Sequence, residues 1–247
     1  MAAIFFIIYF VSQSTLNTVM KSKKYLFPII TFIISFGCAL FVAIKVFPKN
    51  PFTGGQQEKA VTKKAIGTPY RDGDIIFQTS ESKQCEAVKI ATNSKFSHCG
   101  IIYNLDGKWF VFEAVQPVKL TPIEDWIKHG KGSQYLIKRL KNASVLKPDV
   151  LEKMKAYSQQ FDGKEYDAYF EWTDNRIYCS ELVWKIYQHI GIELSQLREL
   201  KDFNLNNPMV QKILKERYGN EIPLHEKVVA PSDLADSNLL KTVTDTY

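Results

Sequence analysis

The pattern of hydrophobic and polar positions changes character near residue 67. Before it, Tyr25 to Ile44 run without a charged residue, long enough to cross a hydrocarbon core of about 30 Å at 1.5 Å per residue. Beyond it the apolar runs are short and periodic. Asp72-Gly73 reads as a turn and Asp74-Ile75-Ile76-Phe77 as a short buried strand. Residues 82–92 predict a helix, with Ser82 as N-cap and Val88 and Ala91 on the apolar side. Ser97 to Tyr103 and Lys108 to Val115 read as strands joined through Asn104-Leu105-Asp106-Gly107, the clearest hairpin in the chain. Trp126-Ile127 mark a helical turn. Leu182, Val183, Ile186, Tyr187 and Ile190 recur at helical spacing until Gly191 supplies a stop. Asn207-Pro208 start a further short helix that carries Met209, Ile213 and Leu214 and stops at Gly219. These elements predict an α+β domain, an antiparallel sheet packed against the helix that starts at Cys179.

Four segments follow: an N-terminal tail (1–24), a transmembrane anchor or signal-anchor (25–47), a linker (48–67) and a folded domain (68–247). Lys21, Lys23 and Lys24 precede the apolar run as in a targeting sequence. The run is longer than a usual signal-peptide core, no A-x-A site closes it, and Ser35-Phe36-Gly37-Cys38 fits a lipoprotein cleavage box poorly. A retained anchor is the expectation, with an uncleaved or atypically cleaved signal as the alternative. Ala2 to Val11 are too few to span; they form an interfacial piece, or translation starts at Met20. Lysines flank both sides of the run, so the positive-inside rule assigns no orientation.

Composition narrows the function classes. Hydrophobic content of 45% and charged content of 23% are those of a folded protein. The net charge of +6 is spread over 32 basic and 26 acidic residues without a basic stripe interleaved with aromatics, which argues against nucleic acid. Lys138, Arg139 and Lys141 form the densest basic cluster and read as a solvated face. Cysteines stand at 38, 85, 99 and 179. No CxxC occurs and the spacings match no zinc signature, so no metal is expected. Three cysteines in the domain leave at least one thiol free.

Tyr178-Cys179 places one of these thiols where a loop becomes a helix. The positive end of the helix dipole favours thiolate, and unpaired backbone N–H groups there can hold an oxyanion. The hairpin offers its partners. If Leu105 and Asp106 form the turn, His98 lies directly opposite Glu113; if Asp106 and Gly107 do, the two are diagonal neighbours. Either way they share a sheet face, whereas a three-residue loop would separate them. Glu113 can then orient the imidazole and His98 can act as base to the thiol. The plain alternatives are a satisfied sheet histidine and a solvated edge glutamate. Cys99 points to the opposite face and reads as core; His129, His189 and His225 read as structural or exposed.

Five short runs carry a family resemblance. In order they are Gly73-Asp74-Ile75-Ile76-Phe77, Phe96-Ser97-His98-Cys99-Gly100-Ile101, Phe112-Glu113-Ala114-Val115, Gly163-Lys164-Glu165-Tyr166-Asp167 and Tyr178-Cys179-Ser180-Glu181-Leu182-Val183. Together with Ala230-Pro231-Ser232-Asp233-Leu234, they resemble the permuted papain-like amidases of the YiiX/YaeF type, relatives of the NlpC-type cell-wall peptidases, over roughly 68–240. The resemblance implies a permuted papain-like (NlpC-type) fold with the histidine ahead of the cysteine. It implies Cys179 as nucleophile, His98 as base, Glu113 as orienting residue, and Tyr166 and Tyr178 as supporting or pocket residues. No cofactor is implied. The N-terminal anchor and the stretch 195–222 depart from the family pattern.

The expected activity is hydrolysis of an amide in a cell-wall peptide or an acyl-amide through an acyl-enzyme on Cys179. Trp109, Phe110, Phe112, Tyr169, Phe170 and Trp172 would suit an acyl chain if they line the site, and are otherwise core. The rivals are a lipid acyltransferase or thioesterase on the same scaffold, an inactive tethered binding domain, and a structural membrane protein with an unrelated soluble domain. The expected setting is the bacterial cell envelope, with the catalytic domain outside the cytoplasm. Oligomeric state is not legible.

Overall fold

A computed structural model describes residues 69–247; the anchor expected at 25–47 and the linker at 48–67 lie outside the described residues. Among the described residues no helix is long and apolar enough to cross a membrane. The elements are β1 (Ile75–Gln78), α1 (Lys83–Thr92), β2 (His98–Leu105), β3 (Lys108–Glu113), β4 (Lys119–Pro122), α2 (Ile123–His129), β5 (Leu136–Leu140) and α3 (Pro148–Ser158). Then come β6 (Glu165–Tyr166), β7 (Arg176–Ile177), α4 (Cys179–His189), β8 (Arg198–Glu199), α5 (Pro208–Tyr218), β9 (Lys227–Val228), α6 (Pro231–Ala235) and β10 (Leu240–Asp245).

The hairpin turns on Asp106 and Gly107, whose φ values of 50° and 80° are those of a type I′ turn. That turn matches the right-handed twist of the strands it joins. Asn104 accepts the Gly107 N–H at 3.1 Å and closes it. Ile101 pairs with Phe112 and Leu105 with Lys108, which selects the diagonal register for His98 and Glu113. The strands are shifted from expectation: β2 runs on to Leu105 because the turn is tight, and β3 ends at Glu113 rather than Val115. The main sheet is antiparallel, in the order β10-β5-β1-β2-β3-β4.

Both faces of the sheet are covered, which is why β1 reads as an unbroken apolar run instead of an alternating one. On one face Ile75, Phe77, Cys99, Ile101 and Tyr103 pack in a core with Leu182, Val183, Ile186 and Tyr187 of α4. On the other, Ile76, Ile102 and Val111 pack with Ile123 and Trp126 of α2. The four α4 side chains are fully buried, each stabilising by about 1.5–3 kcal/mol, and the Tyr187 hydroxyl donates to the Gly73 carbonyl. Arg139 is not part of a solvated face as its sequence neighbours suggested. Its guanidinium grips the buried Asp74 carboxylate through Nε (2.6 Å) and Nη2 (2.7 Å), joining β5 to the start of β1. A smaller apolar cluster joins α1 to α5 through Ala87, Val210 and Leu214.

Candidate active site

Tyr178, with extended φ/ψ of −104° and 166°, is the N-cap of α4, and Cys179 is its first helical residue. The helix start is fixed from several directions. Ser180 Oγ donates to the Val229 carbonyl at 2.8 Å, and Val229 N donates to the Tyr178 hydroxyl at 3.2 Å. Glu181, three residues into the turn, accepts from Tyr178 N at 3.4 Å and meets Lys185 at 2.8 Å. Burial pushes Glu181 up to about 8 against the pull of Lys185.

The carboxylate of Glu113 accepts three hydrogen bonds. His98 Nε2 lies 2.5 Å from Oε2, Trp126 Nε1 donates to the same oxygen at 2.8 Å, and Thr121 Oγ1 donates to Oε1 at 2.6 Å. Trp126 also stacks on the imidazole, with centroids 5.8 Å apart. Burial alone would raise the Glu113 pKa; the bonds from His98, Thr121 and Trp126 outweigh it and hold it low. With Nε2 committed to Glu113, Nδ1 is the ring nitrogen left for Cys179. Burial alone would lower the pKa of His98, but hydrogen bonding to Cys179 and Glu113 carries it up to about 10.

Cys179 is pulled well below its ordinary thiol value, first by hydrogen bonding from Cys99 and then, against the cost of burial, by His98. The Cys99 thiol itself is pushed well up by burial and by Cys179, so it stays protonated and donates. Strand alternation sends His98 and Cys99 to opposite faces of β2, yet both hydrogen-bond to Cys179 at the start of α4. The Cys179 thiol pulled down and the His98 imidazole pushed up are shifts in the directions that favour a thiolate–imidazolium pair.

The structure therefore brings Cys179, His98 and Glu113 together. Tyr166, half-buried on β6, accepts from Gln84 Nε2 at 3.1 Å; burial and the charge of Cys179 push its phenol well up. Tyr178 is buried, and its hydroxyl serves Val229. His129 and His225 are exposed, and His189 stacks on Tyr157 at 4.0 Å. Sequence reasoning missed Thr121 and Trp126 as donors to Glu113, and read Cys99 only as core. It also overcounted the aromatics. Phe170 alone of the six lines the cleft beside Cys179, whereas Phe112 is core and Trp172 packs on Trp184. The cleft walls are apolar, with Val88 and Ala91 from α1, Val210 and Ile213 from α5, and Leu205 between them.

A thiol at a helix start, held by an imidazole that a buried carboxylate orients, is the arrangement of a papain-like cysteine hydrolase, here with the histidine first in sequence. The model of the permuted papain-like amidase enzymes (YaeF/YiiX, C92 family) matches residues 69–244, and the chain belongs to that family. It is 44% identical over 184 residues to the uncharacterized protein YiiX of Escherichia coli strain K12, covering 74% of this chain and 90% of the relative. The crystal structure of the metalloprotein YiiX from Escherichia coli O157:H7 aligns with a TM-score of 0.70 at 43% identity, covering 73% of this chain and 99% of that one. The fold is thus permuted papain-like α+β. The matched span includes the stretch 195–222.

Proposed function

We propose that this protein is a membrane-anchored cysteine amidase that cleaves acyl-amides, with Cys179 as nucleophile, His98 as acid and base, and Glu113 as the residue that orients the imidazole. The observation that carries this reading is His98 held between Glu113 and Cys179 beside a cleft with apolar walls. Such walls favour an acyl chain over a cell-wall peptide, whose polar groups would be desolvated there without partners.

In this reading the Cys179 thiolate adds to the amide carbonyl. The oxyanion is held by backbone N–H groups at the start of α4, which have no partner within the helix. The imidazolium of His98 protonates the leaving nitrogen as the C–N bond breaks, giving a free amine and a thioester. Neutral His98 then takes a proton from water, the hydroxide adds to the thioester, and the C–S bond breaks to release the carboxylic acid and restore the ion pair. Tyr166, which accepts from Gln84, keeps its own O–H for a substrate acceptor. Tyr178 keeps the helix start in place through Val229. A metal is not carried over from the solved relative: among the described residues no three His, Cys, Asp or Glu side chains are grouped to hold one. The proposed setting is the bacterial cell envelope, with residues 25–47 in the membrane and the domain 68–247 outside the cytoplasm.

Release of 4-nitroaniline from N-dodecanoyl-4-nitroaniline by the full-length protein tests the chemistry. Cys179→Ala is expected to lower kcat by roughly three orders of magnitude or more, and Glu113→Gln by about a hundredfold while leaving measurable turnover. Full activity in Cys179→Ala would remove the mechanism, and an unchanged rate in Glu113→Gln would detach Glu113 from the chemistry.

A further inference from the structure

Apart from the nucleophile, Arg217 is the only ionised side chain among the residues that line the cleft beside Cys179. It lies on α5 in register with Val210, Ile213 and Leu214, positions three, four and seven apart that share a helix face. Arg139, Arg176 and Arg198 pair with Asp74, Glu171 and Asp233, and Arg71 is exposed to water. Among the described residues no carboxylate lies within ion-pair distance of Arg217. Its guanidinium rests over the Phe170 ring, 5.2 Å from the centroid. Half-buried, it gives up part of its hydration without an anion in return, which makes it a ready fork for one.

Its position along the cleft indicates where that anion would sit. Phe170, under the guanidinium, meets Tyr178 edge-on at 5.1 Å, and Tyr178 precedes the nucleophile. The Tyr166 phenol feels both Cys179 and Arg217. Val210 begins the apolar stripe seven residues earlier, about 10 Å away along the helix axis. The cation therefore stands at the Cys179 end, and the apolar wall extends away from it.

We propose that Arg217 is a specificity-determining residue that binds a carboxylate close to the scissile bond, and that the substrate class is an N-acyl amino acid. Its acyl chain lies between α1 and α5, its amide carbonyl at Cys179, and the carboxylate of its amino-acid part on Arg217. This rests on the acyl-amide reading above. A phosphate headgroup offers similar charge from a different source, and the test separates the two.

The probes are N-dodecanoylglycine, its neutral counterpart N-dodecanoylglycinamide, and dodecyl phosphate, titrated calorimetrically into the full-length Cys179→Ser protein in non-ionic detergent. N-dodecanoylglycine is expected to bind about ten- to a hundredfold more tightly than the glycinamide, the range of a charge-assisted hydrogen bond. Adding Arg217→Gln should bring the two within about twofold, and Arg217→Lys should restore part of the difference. No charge preference in Cys179→Ser, or a preference that survives Arg217→Gln, would overturn the assignment. Dodecyl phosphate binding more tightly than N-dodecanoylglycine would overturn the substrate class. Because binding is read without turnover, failure of the hydrolase reading shows separately, as an absence of cleavage of N-dodecanoyl-4-nitroaniline by the unsubstituted protein.

Discussion

His98 and Cys179 titrate as one unit, and the unit has a characteristic pH signature. With its pKa up at about 10 against an ordinary 6.5, His98 alone contributes stability that is full below pH 6.5 and lost as pH rises through about 10. Cys179, pulled well below its ordinary 9.0, contributes stability that is full above pH 9.0 and lost as pH falls through its folded value. Between 6.5 and 9.0 the two slopes cancel, because the folded pair holds one proton as imidazolium and the unfolded chain holds one as thiol. Outside that window stability falls on both sides. Glu113, held below its ordinary 4.5, adds to the loss in acid. Glu181, up at about 8 from an ordinary 4.5, adds a fall in stability as pH rises through that range; with it replaced in Glu181→Gln, urea midpoints of the folded domain should be level from about pH 6.5 to 9.0, and the level region should disappear when Cys179→Ala is added. A steep slope that persists would mean that the pair does not hold a single proton across this window, and loss of the ultraviolet thiolate absorbance in Cys179→Ala would place that proton on the imidazole.

At the scale of elements, the β2–β3 hairpin decides whether the charged pair forms, and Gly100 is its tightest point. A Cβ on Gly100 would meet Val111 Cγ1 at 2.4 Å and the Phe112 carbonyl oxygen at 2.8 Å. The first can rotate; the second is backbone and yields only if the strands part. Gly100→Ala should cost about 1–3 kcal/mol, the usual range for overpacking, and should slow alkylation of Cys179 at pH 6 because Glu113 moves with β3. Alkylation at the original rate in a destabilised variant would show that the strand shift does not reach Glu113. The hairpin itself was legible: Asp106-Gly107 names the turn, and both registers considered put His98 and Glu113 on one face. So was α4, whose apolar spacing comes from packing on the sheet. What could not be read depends on which elements come together in space. Trp126 looks like any core residue of a short helix until α2 folds back over Glu113, and Thr121 carries no local signal at all. Cys99 and Arg217 acquire meaning only once α4 meets β2 and α5 meets α1.

For the whole molecule, the anchor proposed at 25–47 and the acyl-amide substrate proposed for the apolar cleft imply the same phase. A substrate with a long acyl chain partitions into a bilayer, so an enzyme held at that surface meets it at a higher local concentration than one free in water. The two features are separable in experiment. The full-length protein should stay with membranes through an alkaline carbonate wash, while the chain lacking residues 1–47 is released. On N-dodecanoylglycine dissolved in liposomes the shortened chain should turn over at least about tenfold more slowly. On a water-soluble short-chain analogue, N-butanoylglycine, the two should match, since the domain that carries Cys179, His98 and Glu113 is common to both. Release of the full-length protein by carbonate would remove the anchor. Equal loss on both substrates would instead mean that residues 1–47 act on the folded domain itself.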